Sequence, residues 1–146
     1  MAEYNWIAIE DAVLTALSAE IGSQVKTLET YQGDWLEDLR QEGWRLPAVL
    51  VMARQTQSEL VATRSYDVTL DFTVLVAVRQ LRGEAEARRQ EGGAYQLLAG
   101  VRRALWHQDL GLELLPLALV EEEALLNTRE FAVYAARYRT MAVQDV

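Results

Sequence analysis

Hydrophobic and polar positions alternate most cleanly in SYDVTLDFTVLVAV. Val68, Leu70, Phe72, Val74, Val76 and Val78 fall on one side, with Asp67, Thr69, Asp71 and Thr73 on the other. A period of two marks a β-strand, and β-branched residues suit its pleated surface. Leu75 and Ala77 replace the polar residues towards the end, so this strand is expected to be covered on both faces there, at the middle of a sheet. From Ala94 the period changes: Leu97, Leu98, Val101, Ala104 and Leu105 recur at three- and four-residue spacing, which predicts an amphipathic helix over 94–107. The charged residues between the two, over 79–93, predict an exposed, mobile loop.

An earlier helix is predicted over 6–21. Its stripe is Trp6, Ile9, Val13, Leu17 and Ile21, with Asn5 as N-cap and Gly22 as stop. A short strand follows at 25–31. Asp34 with Glu37 has the form of a capping box and opens a short helix over 34–41. Pro47 leads the apolar run AVLVMA, a strand over 48–53. Residues 55–59 are polar and read as a turn, with a short edge strand at 60–63. Strands at 114–126 and 131–142 complete the chain, separated by a turn at Asn127 and Thr128. The sum predicts one α+β domain over 1–146: a largely antiparallel sheet of about five strands with two main helices packed on one face.

Composition narrows the chemistry. The 146 residues contain no cysteine, which excludes disulfides, thiolate catalysis and thiolate metal sites. With 14 basic against 22 acidic residues the net charge is −8, unfavourable for non-specific binding to phosphate backbones. No apolar run approaches the length of a membrane span, so no membrane partner is expected, and the cytoplasm of the producing cell is the expected setting. His107 is the only histidine, at the end of the predicted third helix, where it can interact with the last carbonyls. No phosphate-cradling glycine motif occurs, and Gly92-Gly93 reads as a flexible joint. A metal-dependent nuclease would draw on Asp67, Asp71 and Glu29, but no carboxylate–x–lysine signature accompanies the lone Lys26. The favoured reading makes Asp67, Thr69, Asp71 and Thr73 a solvated or subunit-facing side of the sheet, and Glu121–Glu123 a solvated edge. Trp35 and Trp44 bracket the short helix, as core packing or as a partner surface. Tyr134 and Tyr138 lie on the less apolar face of the last strand, with Arg137 and Arg139 as the basic residues nearby. No catalytic residue, cofactor or metal site is assigned.

The run FTVLVAVRQLRGEAEARRQEGGAYQLLAGVRRAL, with LPAVLV at 46–51, LGLELLPL at 110–117 and FAVYAARYRT at 131–140, resembles a small tail-protein family of Mu-like prophages catalogued as a domain of unknown function. Its most specific piece is R-x-L-R-G-E-x-E-A-R-R at 79–89. The resemblance implies a non-enzymatic part of a contractile tail, similar to tail-terminator and tail-completion proteins that form six-fold rings on the tail tube. Tube and neck proteins would be its partners, and the virion tail its location after assembly in the host cytoplasm. The candidate subunit contacts are Arg79, Arg82, Glu84, Glu86, Arg88 and Arg89, whose mixed charges suit heterologous pairing in a ring. The alternatives are a monomeric assembly adaptor and, further off, the metal-dependent nuclease.

Overall fold

The long alternating strand, β3 (Ser65–Arg79), sits at the centre of a five-stranded sheet in the computed structural model, which describes residues 3–80 and 93–146. Its neighbours are β2 (Ala48–Ala62) and β5 (Phe131–Asp145), both antiparallel to it. Outside them lie β1 (Thr27–Thr30), parallel to β2, and β4 (Ala118–Asn127), antiparallel to β5. The order across the sheet is therefore β1-β2-β3-β5-β4. This is the expected α+β architecture.

Two helices cover one face. In α1 (Trp6–Ile21) the stripe Ile9, Val13, Leu17 and Ile21 is buried, and the Asn5 side chain caps the start by accepting from the N–H groups of Ile7 and Ala8 at 2.9 and 3.2 Å. In α3 (Ala94–Leu105) the buried residues include Leu97, Leu98, Val101 and Leu105. Both helices pack on Val68, Leu70, Phe72, Val74, Val76 and Val78 of β3 and on Ala136 and Tyr138 of β5. The short α2 (Trp35–Arg40), capped by Asp34, closes part of the other face. There Leu39 joins Leu50, Leu75, Ala77, Val133 and Ala135 in a second cluster, with Trp35, Trp44 and Tyr31 packed against it. The end of β3 is thus covered on both sides, as its change of pattern predicts. The tryptophans beside α2 belong to this cluster.

Four expectations are corrected. Residues 55–59 form no turn and 60–63 no separate strand: β2 runs unbroken to Ala62, because its ladder with β3 continues through bulges at 53/55 and 60/62. The polar composition arises because residues 54–62 are exposed on both faces, not because the chain turns. The strand predicted at 114–126 begins only at Ala118. Before it, residues 112–117 are tied irregularly, with Leu115 N–H donating to Met141 O at 3.0 Å and Leu117 N–H to Gln108 O at 2.9 Å. The helix ends at Leu105, so His107 lies beyond it, at a positive φ of 62°, its backbone N–H held by Leu117 O at 2.7 Å. Finally, Tyr138 is a core residue, stacked on Phe72 at 5.8 Å, and Tyr134 packs against the same core. The tyrosine side of β5 is the one facing α1 and α3. The charged loop expected over 79–93 lies outside the described residues save at Arg79, Gln80 and Gly93.

Where α1 meets α3 the approach is close: a Cβ on Gly100 would stand 2.2 Å from the Ile21 Cγ2 methyl. Gly100→Ala gains up to about 1 kcal/mol of helix propensity, but overpacking costs about 1–3 kcal/mol. The expected result is a net loss of stability, read as a lower urea midpoint with an unchanged slope. A higher midpoint would mean that the two helices can part without penalty.

Candidate functional site

Beyond the reach of α2, the second sheet face changes character. Period two along β3 and β5 continues to place side chains there, but they are now Thr73, Asp71, Thr69 and Asp67 from β3, with Arg137 and Arg139 from β5. Asp71 is the centre. Its side chain is only 2% exposed, and a carboxylate without partners at that depth would be costly. Arg139 meets it through Nε at 2.7 Å and Nη2 at 3.3 Å, and Arg54 Nη1 approaches from β2 at 3.4 Å. Arg54 is the extra residue of the 53/55 bulge in β2. Both guanidinium groups keep more than two fifths of their side-chain surface in solvent. The hydrogen bond to Asp71 pushes the Arg139 pKa higher still, so the group stays cationic.

The pairing spreads to β4. Arg137 Nη1 binds Glu121 Oε1 at 3.0 Å, and a groove of about 280 Å³ lies between Trp35, Met52, Arg54, Thr73, Glu121 and Arg137. On the helix side of the same strand, Glu122 accepts from Arg102 Nη1 at 2.8 and 2.9 Å, tying β4 to α3. Two of the three glutamates expected to form a solvated edge are therefore ion-paired, on opposite faces. Asp71, expected on a solvated side, is buried because three strands bring two arginines over it. Tyr138 contributes to the other face; burial pushes its phenol above the ordinary range, and its hydroxyl has no hydrogen-bond partner among the described residues. Tyr31 is raised to about 12 by burial and by its hydrogen bond to Asp38.

The nuclease constellation is not assembled. Glu29 on β1 stands level with Leu50 and Leu75, eight positions along β3 from Asp67, roughly 26 Å at about 3.3 Å per residue. Asp71 is already engaged by two arginines. Among the described residues no three of His, Asp and Glu converge as a metal site. Arg137 and Arg139 point to the face opposite Tyr134 and Tyr138, so no basic–aromatic strip forms. Of the candidate subunit contacts, Arg79 ends β3, with its guanidinium carbon 5.1 Å from the centre of the Phe131 ring and Nη2 3.9 Å from Glu42. Arg82, Glu84, Glu86, Arg88 and Arg89 lie outside the described residues. The Arg54–Asp71–Arg139 cluster escaped sequence reading: its members are distant in the chain, and only the common face of Asp71 and the arginine-rich end of β5 hinted at it.

The described residues thus form an α+β domain whose second sheet face is ion-paired between neighbouring strands. The family model described as bacteriophage Mu, Gp37 matches residues 5–142, nearly the whole chain. The chain belongs to that family, and with it to the structural, tail-related proteins of Mu-like phages. No curated protein matches it. No helix among the described residues is long and apolar enough to cross a membrane.

The two partners of the buried carboxylate are unequal in what they leave behind. Asp71→Asn frees two half-exposed arginines that water can solvate, an expected cost of about 1–2 kcal/mol after allowing for that exposure. Arg54→Met with Arg139→Met keeps apolar cover over the carboxylate but removes both of its partners, so it strands a buried charge and should cost about 3–5 kcal/mol. Chemical denaturation of both variants checks the order; equal losses would show that Asp71 is not desolvated. Tyr138→Phe removes an unpartnered hydroxyl from the core and is expected to be neutral or to stabilise by about 1 kcal/mol in the same assay.

Proposed function

We propose that the protein is a ring-forming component of a phage tail, a tail terminator or a related minor tail protein that sits on the end of the tail tube. Membership of the Mu family over residues 5–142 carries this reading. The protein acts by shape and charge, without catalysing a reaction. Its partners are further copies of itself, in a six-membered ring, and the tube and neck proteins on either side. Exposed single ion pairs contribute only about 0–1 kcal/mol, so a stable ring draws on many repeated contacts together with apolar and backbone surface. Arg79 and the charged residues Arg82, Glu84, Glu86, Arg88 and Arg89 supply charge-assisted hydrogen bonds between copies. The ion-paired sheet face supports the reading, since it offers a charged surface on which a neighbour can dock.

Native mass spectrometry with light scattering across a concentration series tests the reading. The expected result is a closed oligomer of six chains, retained in purified tails. A protein that stays monomeric at every concentration and is missing from purified tails would instead be an assembly adaptor that leaves before completion.

A further inference from the structure

Among the described residues the sheet is open on both sides, and unequally. β1 covers β2 only over residues 48–51, so the outer edge of residues 54–62 pairs with no strand among the described residues. The carbonyls of Val51 and Ala53 point away from β3, accepting from Tyr31 N–H at 2.9 Å and from the Gln32 amide at 3.5 Å. Carrying the alternation across the bulge at Arg54 makes Thr56, Ser58 and Leu60 the residues whose backbone groups face outward. Native edges are normally blunted by lysine, proline or brevity. Residues 54–62 contain neither lysine nor proline, have only Arg54 and Glu59 charged, and expose Leu60 and Val61 at 57% and 54%. At the far side β4 presents a ten-residue edge, also unpaired with any strand among the described residues and with Val120 and Leu125 exposed.

We infer that the free edge of β2 receives β4 of a second copy, so that the sheet continues from one subunit into the next. This deepens the ring reading and rests on it. Three antiparallel steps separate β2 from β4, so a neighbour in the same orientation presents β4 antiparallel to β2. The contact is heterologous and leaves a free edge at each end, which is what repetition around a ring requires. Pairing β4 with β4 would set the Glu121–Glu123 run against itself, where like charges repel. Opposite the nearly uncharged arm of β2 that run meets the side chains of Gln55, Thr56, Gln57 and Ser58, which can donate hydrogen bonds. Within one copy, Ala118 of β4 is level with Gln55 of β2 through Arg139 and Asp71. With Glu123 level with Leu75 in its own copy and set opposite Gln55 to Gln57 of the next, neighbours are offset along the strands by about four to six residues, roughly 13–20 Å, and the strands run inclined to the ring axis.

The absence of cysteine gives a clean test. Gln57 and Glu123 lie on the same face of the sheet at its two opposite edges, too far apart to be bridged within one chain. The full-length Gln57→Cys/Glu123→Cys variant, treated with a short bis-maleimide, is expected to run as a ladder of cross-linked chains on a denaturing gel, whereas each single variant stays a monomer band. Ser58→Pro, which removes an outward N–H, should abolish the ladder and lower the native mass while leaving the melting temperature unchanged. A dimer from Gln57→Cys alone would mean that β2 pairs with β2, and overturns the inference. An oligomer that shows no cross-link overturns it as well but leaves the ring standing. A protein monomeric at all concentrations removes the ring and this contact together.

Discussion

The structure depends on β3 being hydrogen-bonded along both of its edges. Every residue from Ser65 to Arg79 has a partner in β5, and the ladder with β2 covers nearly the same length. With both edges satisfied, the strand can be buried without orphaned backbone groups. Its Val68–Val78 face then becomes the floor on which α1 and α3 lie, and Leu75 and Ala77 become the seat for α2 and its tryptophans. The remaining elements are arranged around that strand.

One sheet face carries two kinds of surface. Where α2 covers it, the residues are Leu75, Ala77, Val133 and Ala135; a few positions further along they are Asp71, Thr73, Arg137 and Arg139. The change follows coverage. Under a helix, apolar side chains gain by leaving water; beyond it, charged ones are kept by pairing across strands. Asp71 is buried because the aliphatic stems of two arginines and the neighbouring strands shield it, and the guanidinium groups offset the loss of water. Such a face is held in a fixed geometry and presents unspent donors outward. That suits recognition of a partner surface, in keeping with a structural phage family.

Much of the fold was legible because periodicity reports which face of an element is buried. The stripe in α1, the alternation in β3 and the three-four spacing in α3 each identified the residues that form the main core. The failures share a cause. Residues 54–62 of β2 look like a turn because they are exposed, so no apolar period marks the strand; only its ladder with β3 does. The alternation along β5 makes the side of Val133 and Ala135 the more apolar one, yet both faces of β5 are covered at that level, and Tyr134 and Tyr138 pack in the main core with α1 and α3. The ion-paired site was hardest to see, since Arg54, Asp71 and Arg139 come from three strands and a β-bulge aims the first of them.

By itself the sequence determined the main helices and the central strand, the caps, the main apolar faces and the acidic, cysteine-free character, because each of these is written in local composition and short-range period; the kinship with the bacteriophage Mu Gp37 family rests instead on similarity over residues 5–142. Only the tertiary structure decided the strand order, the length of β2, which face of β5 meets the helices, and the partners of Asp71, Glu121 and Glu122. Those depend on which distant segments lie side by side. Hydrogen bonding between strands and charge pairing across them are contacts of high sequence separation, and no period along the chain records them.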